Sequence, residues 1–168
     1  KVGNIARVFI VGAVIALAVV IGVLSFSKRY NHYEQFKITD SEMIAALGRS
    51  SYSGFNEAAT HVSNGEYYEA KQIIEKSYLK NPDDHSLANH YAAILIASDC
   101  LETSKEVLYP VLNGTNATEK YEAAYMIALS FLKEGNRKAC KQWLSTIPFG
   151  SDRYTQANHL ASKLIAGV

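Results

Sequence analysis

The sequence predicts an all-α chain: an N-terminal transmembrane helix, then an α-α solenoid of about three helical hairpins, then a C-terminal capping helix. Three observations predict it. The plan of the stretch Ser51 to Asp84 recurs twice downstream. Each copy is punctuated where helices end, by Asn64-Gly65 and Asn81-Pro82 in the first. Ahead of the copies, Val8 to Phe26 is a run of 19 residues without a charge. The organisation that follows is an anchor over 1–30, a linker with a short helix over 31–50, repeats over 51–150 and a cap over 151–168.

Laid over one another, the copies agree in four columns. Ala58, Ala92 and Ala128 stand 34 and 36 residues apart, and so do Gly65, Asp99 and Gly135. The same spacings hold for Ala70, Ser104 and Cys140, and for Ile74, Leu108 and Leu144. Each column has a physical meaning. The first and third are small, as close approach of two helices requires. The second ends a first helix, where glycine takes a left-handed conformation at little cost. The fourth is large and fills the space against the next hairpin. One hairpin has too little core alone, so copies must stack.

These residues resemble the tetratricopeptide repeat family. The first copy carries Asn64-Gly65-Glu66-Tyr67-Tyr68-Glu69-Ala70 and Asn81-Pro82-Asp83-Asp84; the second carries Tyr91, Ala92, Leu95 and Leu101; the third carries Ala128, Phe131, Gly135 and Cys140. The second copy departs with Asp99 at the turn, and the first with Gly54 and Glu57 where large apolar residues are expected. The resemblance covers roughly Ser51 to Gly150. It implies that the first helices line a concave wall that binds a protein partner. On that wall it places Tyr52, Phe55 and Val62, then Asn89, Ala93 and Ile96, then Tyr125, Leu129 and Lys133. An alternative for Phe55 and Val62 is packing against the short helix Ser41 to Leu47 or against the end helix. Asn89 is the strongest binding candidate, because an amide holds an extended peptide by donor and acceptor together. Capture of a terminal carboxylate needs several groove cations, and only Lys133 qualifies.

Along the chain, 13 of the 19 residues in Val8–Phe26 are Val, Ile, Leu or Phe. At roughly −0.4 kcal/mol each, insertion into a bilayer gains on the order of 5 kcal/mol. The expected partner of residues 8–26 is therefore membrane lipid, with Tyr30, Tyr33 and Phe36 suited to the interface. The rival reading is a cleaved secretory signal with Ser25-Phe26-Ser27 at the cut. Lys1 and Arg7 before the run, and Lys28, Arg29 and Lys37 after it, leave the orientation undecided. Resemblance to bacterial single-span proteins with such repeats implies an inner-membrane anchor and an exported repeat domain. The first residue is Lys1, so further residues are expected upstream. Thr39-Asp40-Ser41 offers N-caps for a short helix through Leu47, stopped at Gly48.

The second copy is expected as helices Ser86–Ser98 and Glu102–Leu112, with Pro110 kinking or shortening the latter. A loop over Asn113–Asn116 supplies two extra residues, and the third copy runs from Lys120 to Ile147. Asn113 and Asn116 lie in Asn-x-Thr sequons, which carry meaning only in a eukaryotic secretory compartment. After Pro148-Phe149-Gly150, Ser151 or Asp152 caps a last helix whose inner face is Tyr154, Ala157, Leu160, Ala161 and Leu164.

Composition narrows the function. A net charge of +1 and the lack of a basic stripe with interleaved aromatics argue against a nucleic-acid partner. Two cysteines, Cys100 and Cys140, make no disulfide framework, and no CxxC is present. His61, His85 and His90 are too scattered for a metal-ligating pair, and Asp83-Asp84 reads as a turn and helix start. No phosphate loop or nucleophile motif appears, and no cofactor is implied. The expectation is a non-catalytic membrane-anchored scaffold or adaptor for a protein partner. The competing expectations are a holdase for exported proteins and a transmembrane regulator.

Overall fold

The computed structural model describes residues 14–23 and 32–165. Among them the chain is all-helical, with no strand. Helices are numbered from the first that follows the linker: α1 Asp40–Gly48, α2 Phe55–Ser63, α3 Tyr67–Tyr78, α4 His85–Ala97, α5 Leu101–Leu108, α6 Ala117–Glu134, α7 Arg137–Leu144 and α8 Tyr154–Ile165, with a 3-10 turn over Pro110–Asn113. The pairs α2–α3, α4–α5 and α6–α7 are hairpins, stacked through α3 on α4 and α5 on α6. α4 also meets α6, α8 closes against α7, and α1 lies on α2 and α4.

The spanning helix expected over Val8–Phe26 is corrected. Among the described residues no helix is long and apolar enough to cross a membrane. The described part of that run is helical over 14–23 and exposed. The rest of the run, Lys1, Arg7, Lys28, Arg29 and Tyr30 lie outside the described residues. Placement in an inner membrane loses its support with the span. Tyr33 and Phe36, expected at a lipid interface, are instead core residues, 6% and 8% exposed.

The hairpin turns are one device built three times. At the end of α2, Glu66 N–H donates to the carbonyl of His61 and Gly65 N–H to that of Val62. After α4, Cys100 and Asp99 donate to Leu95 and Ile96; after α6, Asn136 and Gly135 donate to Phe131 and Leu132. Each is a Schellman closure, satisfying carbonyls that the helix leaves orphaned. It needs a left-handed residue at its centre, and Gly65, Asp99 and Gly135 have φ of 77°, 63° and 87°. Asp99 is the only non-glycine with positive φ among the described residues. Its carboxylate meets Lys133 Nζ at 2.7 Å, and that ammonium also donates to the Ile96 carbonyl at 2.8 Å.

The helix starts are as local as the ends. Thr39 and Glu42 form a reciprocal capping box on α1. Asp84 accepts from Leu87 N–H to start α4, Asn116 accepts from Thr118 and Glu119 to start α6, and Asn136 accepts from Ala139 to start α7. Pro110 has no N–H to give an α-helix, so α5 stops at Leu108 and a 3-10 turn takes over. The small columns sit where helices touch: Ala58, Ala92, Ala128, Ala70, Ser104 and Cys140 are all fully buried. The buried side chains form one continuous core from Tyr33 to Leu164.

Candidate functional site

The wall formed by the first helices of the hairpins is covered by the chain's own N-terminal arm, residues 32–48. Tyr125 on α6 donates its hydroxyl to the Phe36 carbonyl at 2.8 Å. The Phe36 ring stands edge-on to His159 of α8, with centroids 5.0 Å apart. Lys133 lies over the Tyr33 ring at 4.9 Å. Tyr67 on α3 donates to Asp40 at 2.8 Å, tying down the start of α1. Met43 and Leu47 of α1 are buried, at 4% and 1% exposure. Each buried apolar side chain of this kind contributes about 1.5–3 kcal/mol relative to exposure, which is what holds the arm in place.

The arm divides the wall in two. Ile38, Met43 and Ala93 line both of the resulting cavities. The larger, about 430 Å³, lies between α1, α4 and α6, with Arg153 at its edge. From α4 it is lined by Ser86, Asn89, His90 and Ala93, which share one face at helical spacing. From α6 the lining residues are Thr118, Glu119, Glu122 and Met126. The smaller, about 310 Å³, takes Tyr33, Tyr67, Ile96, Asp99, Leu129 and Lys133.

Polar groups in the larger cleft are uneven in their satisfaction. Arg153 is fully engaged: Nε and Nη2 meet the Glu122 carboxylate at 2.5 and 2.7 Å, and Nη1 meets Glu42 at 3.3 Å. Burial disfavours its charge, but the hydrogen bonds and charges of Glu122 and Glu42 more than reverse that and hold it cationic. Burial also pushes the Glu42 carboxyl up. Hydrogen bonds from Thr39, with the charge of Arg153, outweigh that and hold it below the ordinary value. The His90 imidazole is held below its ordinary value by burial, with Arg49 adding to the effect. Asn89 is 7% exposed; its Nδ2 donates to the Glu119 carbonyl at 3.0 Å. Its Oδ1 is the one buried side-chain polar atom among the described residues without a hydrogen-bond partner.

The residues placed on the wall by sequence fall into three groups. Phe55, Val62, Ile96, Tyr125 and Leu129 are buried, at 3% exposure or less. Tyr52 is half-buried and spends its hydroxyl on the N-cap Asp84 at 2.7 Å. Asn89 and Ala93 line the larger cleft; Ala93, Ile96, Leu129 and Lys133 line the smaller. Sequence reasoning missed Glu42, Glu122 and Arg153, and considered His90 only as a metal ligand. Glu122 shares a helical face with Thr118 and Met126, a pattern that spacing alone shows. Nothing local links Arg153 to Glu122, 31 residues away, or to Glu42, 111 away. Cys140 is buried, and burial pushes its thiol up to about 12, which makes it a poor nucleophile at neutral pH. Among the described residues no group of three or more His, Cys, Asp or Glu is placed to hold a metal ion.

Comparison with family models, with curated proteins and with solved structures yields no match. The repeat resemblance therefore rests on the sequence alone.

Proposed function

We propose that this chain is a non-catalytic scaffold or adaptor, built of tetratricopeptide-like hairpins, that binds a segment of a partner protein on its inner wall. The observation that carries the reading is the larger cleft. It combines an apolar floor of Met43, Ala93, Ile94 and Met126 with a few fixed polar groups, the composition of a recognition site. Asn89 remains the central contact in a narrower role than both donor and acceptor: its amide N–H is spent on Glu119, and its carbonyl oxygen is the acceptor left to offer. The arm over the rest of the wall confines a partner to what α1 leaves open.

The test is capture of a partner by the immobilised chain from extracts of its source, with two variants in parallel. Ser86 is exposed at the cleft and Glu106 is exposed on α5 outside it. Capture of a discrete protein, lost in Ser86→Trp and kept in Glu106→Trp, supports the reading. Capture untouched by Ser86→Trp sinks it. Suppression of aggregation of several unrelated unfolded proteins would replace it with a holdase.

A further inference from the structure

We propose that the larger cleft receives a basic side chain, lysine or arginine, of the partner, with Asn89 Oδ1 and the Glu119 carboxylate as its acceptors. This deepens the scaffold reading and rests on it. The cleft has acceptors in excess. Glu42, Glu119 and Glu122 line it against Arg49 and Arg153, and Arg153 is consumed by Glu122 and Glu42. Among the described residues no Lys or Arg comes within 4.0 Å of the Glu119 carboxylate, and its contact with the His85 ring Nδ1, at 4.0 Å, is at the outer limit of an ion pair. Asn89 Oδ1 has no donor at all. Its orientation is fixed, because Nδ2 must face the Glu119 carbonyl.

Each property of the cleft selects the same ligand. An unpaired buried acceptor calls for an N–H, and an apolar side chain leaves it unpaired. An acidic side chain meets three carboxylates against two arginines, one of which, Arg153, is already held by Glu122 and Glu42. The space, about 430 Å³, far exceeds the ~30 Å³ share of one water. Lys and Arg also carry methylene stems, which suit the floor of Met43, Ala93, Ile94 and Met126 while the head reaches the acceptors.

As the cleft stands, Oδ1 is shut off from solvent, so the cleft wall, of which α1 is one side, must open for a donor to arrive. The Glu42–Arg153 contact, at 3.3 Å, is the weaker half of the Arg153 clasp, and an incoming cation competes for Glu42 directly. The bidentate Glu122 half keeps α8 on α6 while α1 moves.

The experiment is an NMR titration of the isotope-labelled chain with end-blocked tripeptides: Ala-Lys-Ala, Ala-Arg-Ala, Ala-norleucine-Ala and Ala-Glu-Ala. The basic peptides are expected to shift the Asn89 side-chain amide and the backbone amides of Ser86 and Thr118, saturably. They should bind about tenfold tighter than norleucine or glutamate peptides. Asn89→Leu and Glu119→Gln should each weaken the basic peptides roughly fivefold, with helical content unchanged by circular dichroism. Equal binding of the norleucine peptide, preference for the glutamate peptide, or a cleft that answers none of them and holds water only overturns the assignment. Partner capture is read separately. Capture that stays sensitive to Ser86→Trp without basic selectivity removes this inference alone; loss of both removes the scaffold reading as well.

Discussion

At residue scale, Asp99 shows how a physical requirement outlives a change of residue. Its column calls for a left-handed backbone, which glycine adopts freely and most residues do not. Aspartate is among the few that tolerate it. Asp99 reaches φ 63° while its carboxylate holds Lys133. That ion pair is 74% exposed on the Asp side, so it adds at most about 1 kcal/mol. Relief of left-handed strain is also worth roughly 1 kcal/mol. Asp99→Gly is therefore expected to leave the denaturant midpoint nearly unchanged. Asp99→Val, β-branched and without the ion pair, should lower stability by roughly 2 kcal/mol. Equal behaviour of the two variants would show that the turn does not constrain the backbone. This column was legible in sequence, because backbone demands are local. Asn89 was legible as a candidate only. The orphaning of its oxygen depends on a carbonyl 30 residues away.

At the scale of elements, the arm and α8 are joined through one side chain. Arg153, from the start of α8, clasps Glu122 of α6 and Glu42 of α1. Its side chain is 15% exposed and that of Glu122 is 25%, so the pair is sheltered without being sealed. Breaking a fully buried pair costs about 3–5 kcal/mol; Arg153→Met should cost somewhat less, roughly 2–3 kcal/mol in chemical denaturation. Glu42 adds a pH dependence. Its folded pKa lies below its unfolded value, so its stabilisation is full above the unfolded value. It fades as pH falls through the folded one, below about 4.5. Glu42→Gln should lower stability near pH 7 and flatten the profile below that point, so that the two proteins converge in acid. An unaltered acid limb would exclude Glu42 as the group that responds. None of this clasp was readable in advance. Short-range rules find caps and turns, whereas an ion pair spanning 111 residues follows from the packing itself.

For the whole molecule, periodicity located the hairpins, since small and large columns repeat wherever hairpins must stack. Ala58, Ala92 and Ala128 are all fully buried, as close helix approach demands. The same approach misjudged the N-terminal third. The uncharged run predicts a membrane span, and Tyr33 and Phe36 an interfacial belt. Among the described residues no helix is long and apolar enough to cross a bilayer, and both aromatics pack on the inner wall. Hydropathy reports that side chains leave water, not what they leave it for. Tyr33 and Phe36 serve the core of their own chain, and the surface expected to be open is largely taken by its own arm. The proposed binding is thereby narrowed to the cleft around Asn89. Site-specific photo-crosslinking in living cells tests that claim most directly, comparing a probe at Ser86, at the cleft, with one at Tyr68, 58% exposed on α3. The account predicts a discrete protein adduct from Ser86 and none from Tyr68; adducts from Tyr68 alone, or the same diffuse set from both positions, would contradict it.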